Sequence, residues 1–156
     1  MGLSAVILAA LLLAGCTIPA PGPSTTGTTT TPAEPVPSAT APAPVAPILV
    51  PDGTASDNLP LFTSVTAAVW ATEERTAGRA YIDALVSAGF DKAAMQVTND
   101  LSTVGNAAES ILFSVRWGEE CLVGQVGPAT GEPATIVVPA LAEGNCLVGS
   151  TRPIDW

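Results

Sequence analysis

Ser110-Ile111-Leu112-Phe113-Ser114-Val115-Arg116-Trp117-Gly118-Glu119-Glu120-Cys121-Leu122-Val123-Gly124-Gln125-Val126 is the stretch that decides the fold. Ile111, Phe113, Val115 and Trp117 fall on alternate positions, and Leu112, Ser114 and Arg116 fall between them. Side chains of a strand point to opposite faces with a period of two, so this pattern predicts a half-buried antiparallel strand. Gly118-Glu119-Glu120 is a short polar turn, and 121–126 returns as a second strand of a hairpin.

Downstream, 127–133 is a Gly/Pro loop, and Thr135-Ile136-Val137-Val138 is strongly β-favouring. Pro139 confines that strand's end to a sheet edge. Ala142-Glu143-Gly144-Asn145 predicts a turn into a last short strand, Cys146-Leu147-Val148-Gly149. Cys-Leu-Val-Gly thus occurs at 121 and again at 146, which suggests two cysteines opening neighbouring strands at one end of a sheet; two copies are also few enough for coincidence.

Upstream, Met95 and Val97 alternate with Gln96 and Thr98 as another short strand, followed by a polar loop over 99–108. Before Met95 the period is helical. Phe62, Val65 and Val69 mark a helix capped by Asp57 or Asn58 and ending near Thr72, with Pro60 tolerated in its first turn. Tyr81, Ile82, Leu85 and Val86 stripe a second helix, from Thr76 or Gly78 to Ala88. Gly89-Phe90 fits a left-handed C-cap with a closing apolar contact, and 91–94 adds a further turn. Helices first and strands after predict an α+β fold: two helices on one face of a four- to five-stranded antiparallel sheet.

The other end of the chain carries an address. An apolar run over 5–14 leads into Leu13-Ala14-Gly15-Cys16. A short apolar core before small residues is the pattern of a cleavable export segment. The run is too short to span a bilayer, which takes ~20 apolar residues. Leu-Ala-Gly-Cys resembles the lipobox of bacterial lipoproteins, which implies a lipid on Cys16 and removal of 1–15. Met1-Gly2-Leu3-Ser4 lacks the usual basic charge, which places the expected start codon upstream. Residues 16–50 read as the lipidated cysteine and a disordered tether of Pro, Thr, Ala and Ser, with a Thr tract at 25–31 that suits a bare linker or an O-glycosylated stalk. Residues 51–156 are then the folded domain. With Cys16 acylated, Cys121 and Cys146 remain as a pair, and export favours their disulfide.

The formal net charge is −9, and Arg75 is the first cation. So acidic a surface lacks the basic footprint of a nucleic-acid binder, and leaves the lipid on Cys16 as the hold on a membrane. There is no histidine, which removes the commonest general base and metal ligand. Lys92 is the single lysine, with no serine three residues before it, and no phosphate-binding Gly-rich motif or Cys-x-x-Cys occurs. No cofactor is implied. Asp52 and Asp57 lack calcium-loop spacing and read as turn and cap residues; Glu119 and Glu120 diverge in a turn. Trp70 and Trp117 read as core. Arg152 and Trp156 close the sequence, and Trp156 either docks back on the domain or, with Arg152, contacts a partner.

Three stretches are familiar together: Pro51-Asp52-Gly53-Thr54-Ala55 with Asp57-Asn58-Leu59-Pro60, Phe113-Ser114-Val115-Arg116-Trp117-Gly118-Glu119 leading into Cys121, and Thr151-Arg152-Pro153-Ile154-Asp155-Trp156. They resemble an uncharacterised family of actinobacterial exported lipoproteins. The resemblance covers 51–156 and implies a cell-envelope location without an activity. The expectation is a lipid-anchored binding or accessory module on the extracytoplasmic face of the membrane, whose partner is an envelope protein or a cell-wall component. The alternative is an envelope enzyme, such as a wall hydrolase, working through carboxylates.

Overall fold

A computed structural model describes residues 45–156. The expected leader at 1–15, Cys16 and most of the tether lie outside the described residues. Helix α1 spans Ala55–Trp70 and α2 spans Gly78–Ser87. Four strands follow: β1 Met95–Val97, β2 Ile111–Trp117, β3 Glu120–Val126 and β4 Ala134–Pro139. They pair antiparallel in sequence order, β1-β2-β3-β4, so the domain is α+β. Among the described residues no helix is long and apolar enough to cross a membrane.

Local chemistry explains both helix boundaries. The cap of α1 is Thr54, not Asp57 or Asn58. Thr54 Oγ1 accepts from Asp57 N (3.2 Å), and the Asp57 carboxylate accepts from Thr54 N (2.8 Å), a reciprocal capping box. Thr54 N and the Thr54 hydroxyl both donate to the Asp57 carboxylate, which holds it below its usual range. Asn58 is instead buried inside the first turn, where it accepts from Val50 N and donates to the Val50 and Thr54 carbonyls. That clamp, with Leu49 packed on the core, starts the folded unit slightly before the expected Pro51. At the far end of α2, Gly89 takes φ 101°, while Gly89 N and Phe90 N donate to the Val86 and Leu85 carbonyls. Phe90 is buried beneath this Schellman cap.

The core is centred on Phe113 of β2. Its ring stacks on Tyr81 of α2 at 4.6 Å and lies 5.7 Å from Phe62 of α1. Phe62 meets Phe90 edge-on at 6.1 Å. Ile82, Leu85, Val97, Ile111, Val115, Leu122 and Val126 complete the cluster. Gly124 faces Phe113 across the ladder, and any Cβ there would strike the ring. Gly149, its counterpart in the second Cys-Leu-Val-Gly, takes φ 101° in an irregular segment. The two glycines have different jobs, so the repetition is coincidental. Trp70 and Trp117 are half-buried rim residues, not core: Trp117 Nε1 donates to the Gly53 carbonyl (2.8 Å), and Arg75 sits 5.8 Å from the Trp70 ring.

Two expectations need correction. Among the described residues there is no fifth strand: Cys146-Leu147-Val148-Gly149 is irregular, preceded by a tight turn in which Glu143 and Gly144 both take positive φ. Nor is the second face of β2 wholly open to water: Arg116 is exposed and Leu112 half-buried, but Ser114 between them is completely buried.

Candidate functional site

The second sheet face carries a strap, residues 141–150. Cys121 is in register with Arg116 of β2 and Val138 of β4, so it shares the face of Ser114 and opposes that of Phe113. It is disulfide-bonded to Cys146, with Cα atoms 5.7 Å apart, and both residues are buried. Only Cys121 belongs to a strand, because Gln96 of β1 substitutes for a ladder. Its Oε1 accepts from Cys146 N (2.6 Å) and Leu147 N (3.2 Å), and its Nε2 donates to Asn145 Oδ1 (3.0 Å). A side-chain amide thus satisfies main-chain donors that a strand would have paired. Ser114 Oγ lies beneath without a hydrogen-bond partner among the described residues.

Beside the disulfide is a cleft of about 530 Å³, lined by Met95, Gln96, Arg116, Gly118, Asn145 and Cys146 among others. Arg116 Nε donates to the Gly118 carbonyl (3.1 Å). Its guanidinium lies so near Gly144 that a Cβ there would sit 2.5 Å from Nη1. Among the described residues Arg116 has no carboxylate within ion-pair reach, whereas Arg79 pairs with Asp83 and Arg152 with Asp100. Glu119 and Glu120 lie at the β2–β3 turn, Glu120 being the first residue of β3.

The closing residues dock elsewhere on the domain. Arg152 N donates to the Val97 carbonyl (2.9 Å), and Thr151 bridges Thr98. The Arg152 guanidinium is 3.1 Å from the Asp100 carboxylate, an ion pair rather than an aligned hydrogen bond. Trp156 Nε1 donates to Asp83 Oδ1 of α2 (2.8 Å), and Lys92 Nζ donates to the Trp156 main-chain oxygen. Arg79, Lys92 and Arg152 stand 5.2, 5.4 and 5.1 Å from the indole centroid. Three of the chain's five cations therefore surround one ring, where the π face attracts them. The indole N–H holds the Asp83 carboxyl below its ordinary range against the opposing effect of burial, with Arg79 and Lys92 assisting.

No group of three or more His, Cys, Asp or Glu among the described residues is placed to hold a metal ion. Asp52, considered with Asp57 for calcium, is exposed in the turn before Thr54. Sequence reasoning missed Gln96 and Asp83. Gln96 reads as an ordinary polar position of a strand, and Asp83 meets Trp156 across 73 residues.

Fold and site define a small α+β domain closed by a disulfide-held strap and a docked aromatic tail. The family described as "Domain of unknown function (DUF6993)" matches residues 66–150, and the chain belongs to it. The match runs from within α1 through the strap. Comparison with curated proteins and with solved structures gives no match.

Proposed function

We propose that this protein is an actinobacterial lipoprotein, anchored through Cys16 to the outer face of the cytoplasmic membrane, whose domain acts as a binding or accessory module. The helices cover one sheet face, and the strap holds the ligand-accepting cleft on the other. The observation that carries the reading is the Cys121–Cys146 bond beside that cleft: a buried disulfide belongs to an oxidising compartment, and it fixes one cleft wall. Of the charged residues lining the cleft, Arg116 is the cation and Asp91 the anion, and neither is ion-paired among the described residues; Arg116 suits a carboxylate or phosphate of an envelope component seated away from Asp91. Four of the six aspartates, Asp57, Asp83, Asp91 and Asp100, already serve caps, the tail or the α2 start, which favours a binding module over an enzyme working through carboxylates.

Fractionation and capture test the two halves separately. Cys16→Ser should move the protein out of the membrane fraction; full retention overturns the anchor. Capture from envelope extracts should lose its partner with Arg116→Ala and keep it with Arg75→Ala. A partner retained by both variants overturns the cleft.

A further inference from the structure

The two edges of the sheet are treated differently. At the β1 edge the strand is three residues long, and the Val97 carbonyl is taken by Arg152 N. At the β4 edge nothing among the described residues pairs with the strand. Pro133-Ala134-Thr135-Ile136-Val137-Val138-Pro139 carries no charge in a chain of net −9, and Ile136 is 56% exposed. A six-residue apolar edge without Lys or a bulge is a template for another strand.

The register says which groups it offers. Ala140 N donates to the Glu119 carbonyl (2.9 Å), one step beyond the Glu120–Pro139 pair. Hydrogen-bonded and non-hydrogen-bonded pairs alternate along an antiparallel ladder. Ala134, Ile136 and Val138 therefore turn their main-chain groups toward β3, and Thr135, Val137 and Pro139 turn theirs outward. Pro133, two residues before Thr135, falls on the same outward parity. The free edge thus offers the N–H groups of Thr135 and Val137, closed at either end by a proline without a donor.

We propose that this edge pairs with its own copy: two chains join β4 to β4 antiparallel about a two-fold axis at Ile136, forming one eight-stranded sheet. The sequence is self-complementary in that register. Thr135 of each copy exchanges both main-chain bonds with Val137 of the other. Pro133 lies opposite Pro139, so the paired ladder ends at the Thr135–Val137 bonds on each side and the proline carbonyls beyond them stay with water. Ile136 meets its own copy at the close, non-hydrogen-bonded position, which removes its exposed side chain from water. The nearest flanking charges, the two Glu132 carboxylates, lie at opposite ends of the joint strand pair. Because the β1 edge is covered, pairing stops at two copies and does not propagate.

Sedimentation velocity of the full chain in density-matched detergent is the test. The wild type should sediment as a dimer at roughly 0.2 mM and dissociate on dilution. Val137→Pro removes an outward donor and no β3–β4 bond, and Ile136→Lys sets like charges face to face. Each should raise the dimer dissociation constant at least ~10-fold while the circular dichroism stays native, and Ile136→Lys, at an exposed position, should also keep its melting temperature. Ile136→Cys should form an interchain disulfide under mild oxidation, and Val138→Cys on the same face should not. A monomeric wild type, or a dimer indifferent to both Val137→Pro and Ile136→Lys, overturns the proposal. Cross-linking through Val138→Cys alone overturns the register, and a heteromeric complex lost with Val137→Pro assigns the edge to another protein's strand.

Discussion

Removing the disulfide is the perturbation with the most calculable outcome. Cys121 and Cys146 are separated by 25 residues. Closing a loop of that length lowers the unfolded chain's entropy by an amount worth about 3.5 kcal/mol at 25 °C. The figure applies when the strap stays docked without the bond; a strap that undocks makes the loss smaller. Unfolding entropy near ~2.1 cal/mol/K per residue over about 110 folded residues converts it to a fall in Tm of about 15 °C. Cys121→Ala with Cys146→Ala is the right variant, because a lone thiol would be free to form intermolecular dimers and a serine at buried position 121 would add an unpaired hydroxyl. Calorimetry of wild type, variant and reduced wild type should give one high and two matching low transitions. A fall below about 5 °C, or a reduced wild type that melts with the oxidised one, refutes the reasoning.

Gln96→Leu leaves Cys146 N and Leu147 N without their acceptor and should cost about 2 to 4 kcal/mol in urea unfolding; Gln96→Glu retains the acceptor and should cost less. Tyr81 is buried against Phe113, its hydroxyl donating to the Arg75 carbonyl (2.9 Å), and burial pushes its pKa up to about 12 from 10.0. A raised folded value means stability is complete below pH 10 and lost as pH climbs from 10 toward 12, by up to about 2 to 3 kcal/mol, a slope that Tyr81→Phe should abolish in denaturation at fixed pH values.

The hairpin and the end of α2 are legible because their causes are local. Alternation over Ile111, Phe113, Val115 and Trp117 fixes which face is apolar, and Gly89-Phe90 names its own C-cap. Thr54 does not stand out in the sequence because any Ser, Thr, Asp or Asn near a helix start offers a cap; only the reciprocal bond with Asp57 selects it. The cysteine pairing was legible by elimination, but not its geometry, since one partner lies in a strand and the other does not.

By itself, then, the sequence determined the α+β class, the hairpin and the helix stripes, because propensity and period act over a few residues at a time, and it offered Cys121 and Cys146 as disulfide partners. Tertiary structure alone decided that 146–149 is a strap rather than a strand, that Ser114 is buried, and that three cations gather at Trp156. Each of those depends on a side chain far away in sequence: the Gln96 amide replaces a ladder 50 residues on, and the Asp83 carboxylate takes up an indole 73 residues on. Such bonds leave no periodic trace in the chain, because a single polar side chain meets their geometry only once the sheet has brought it there.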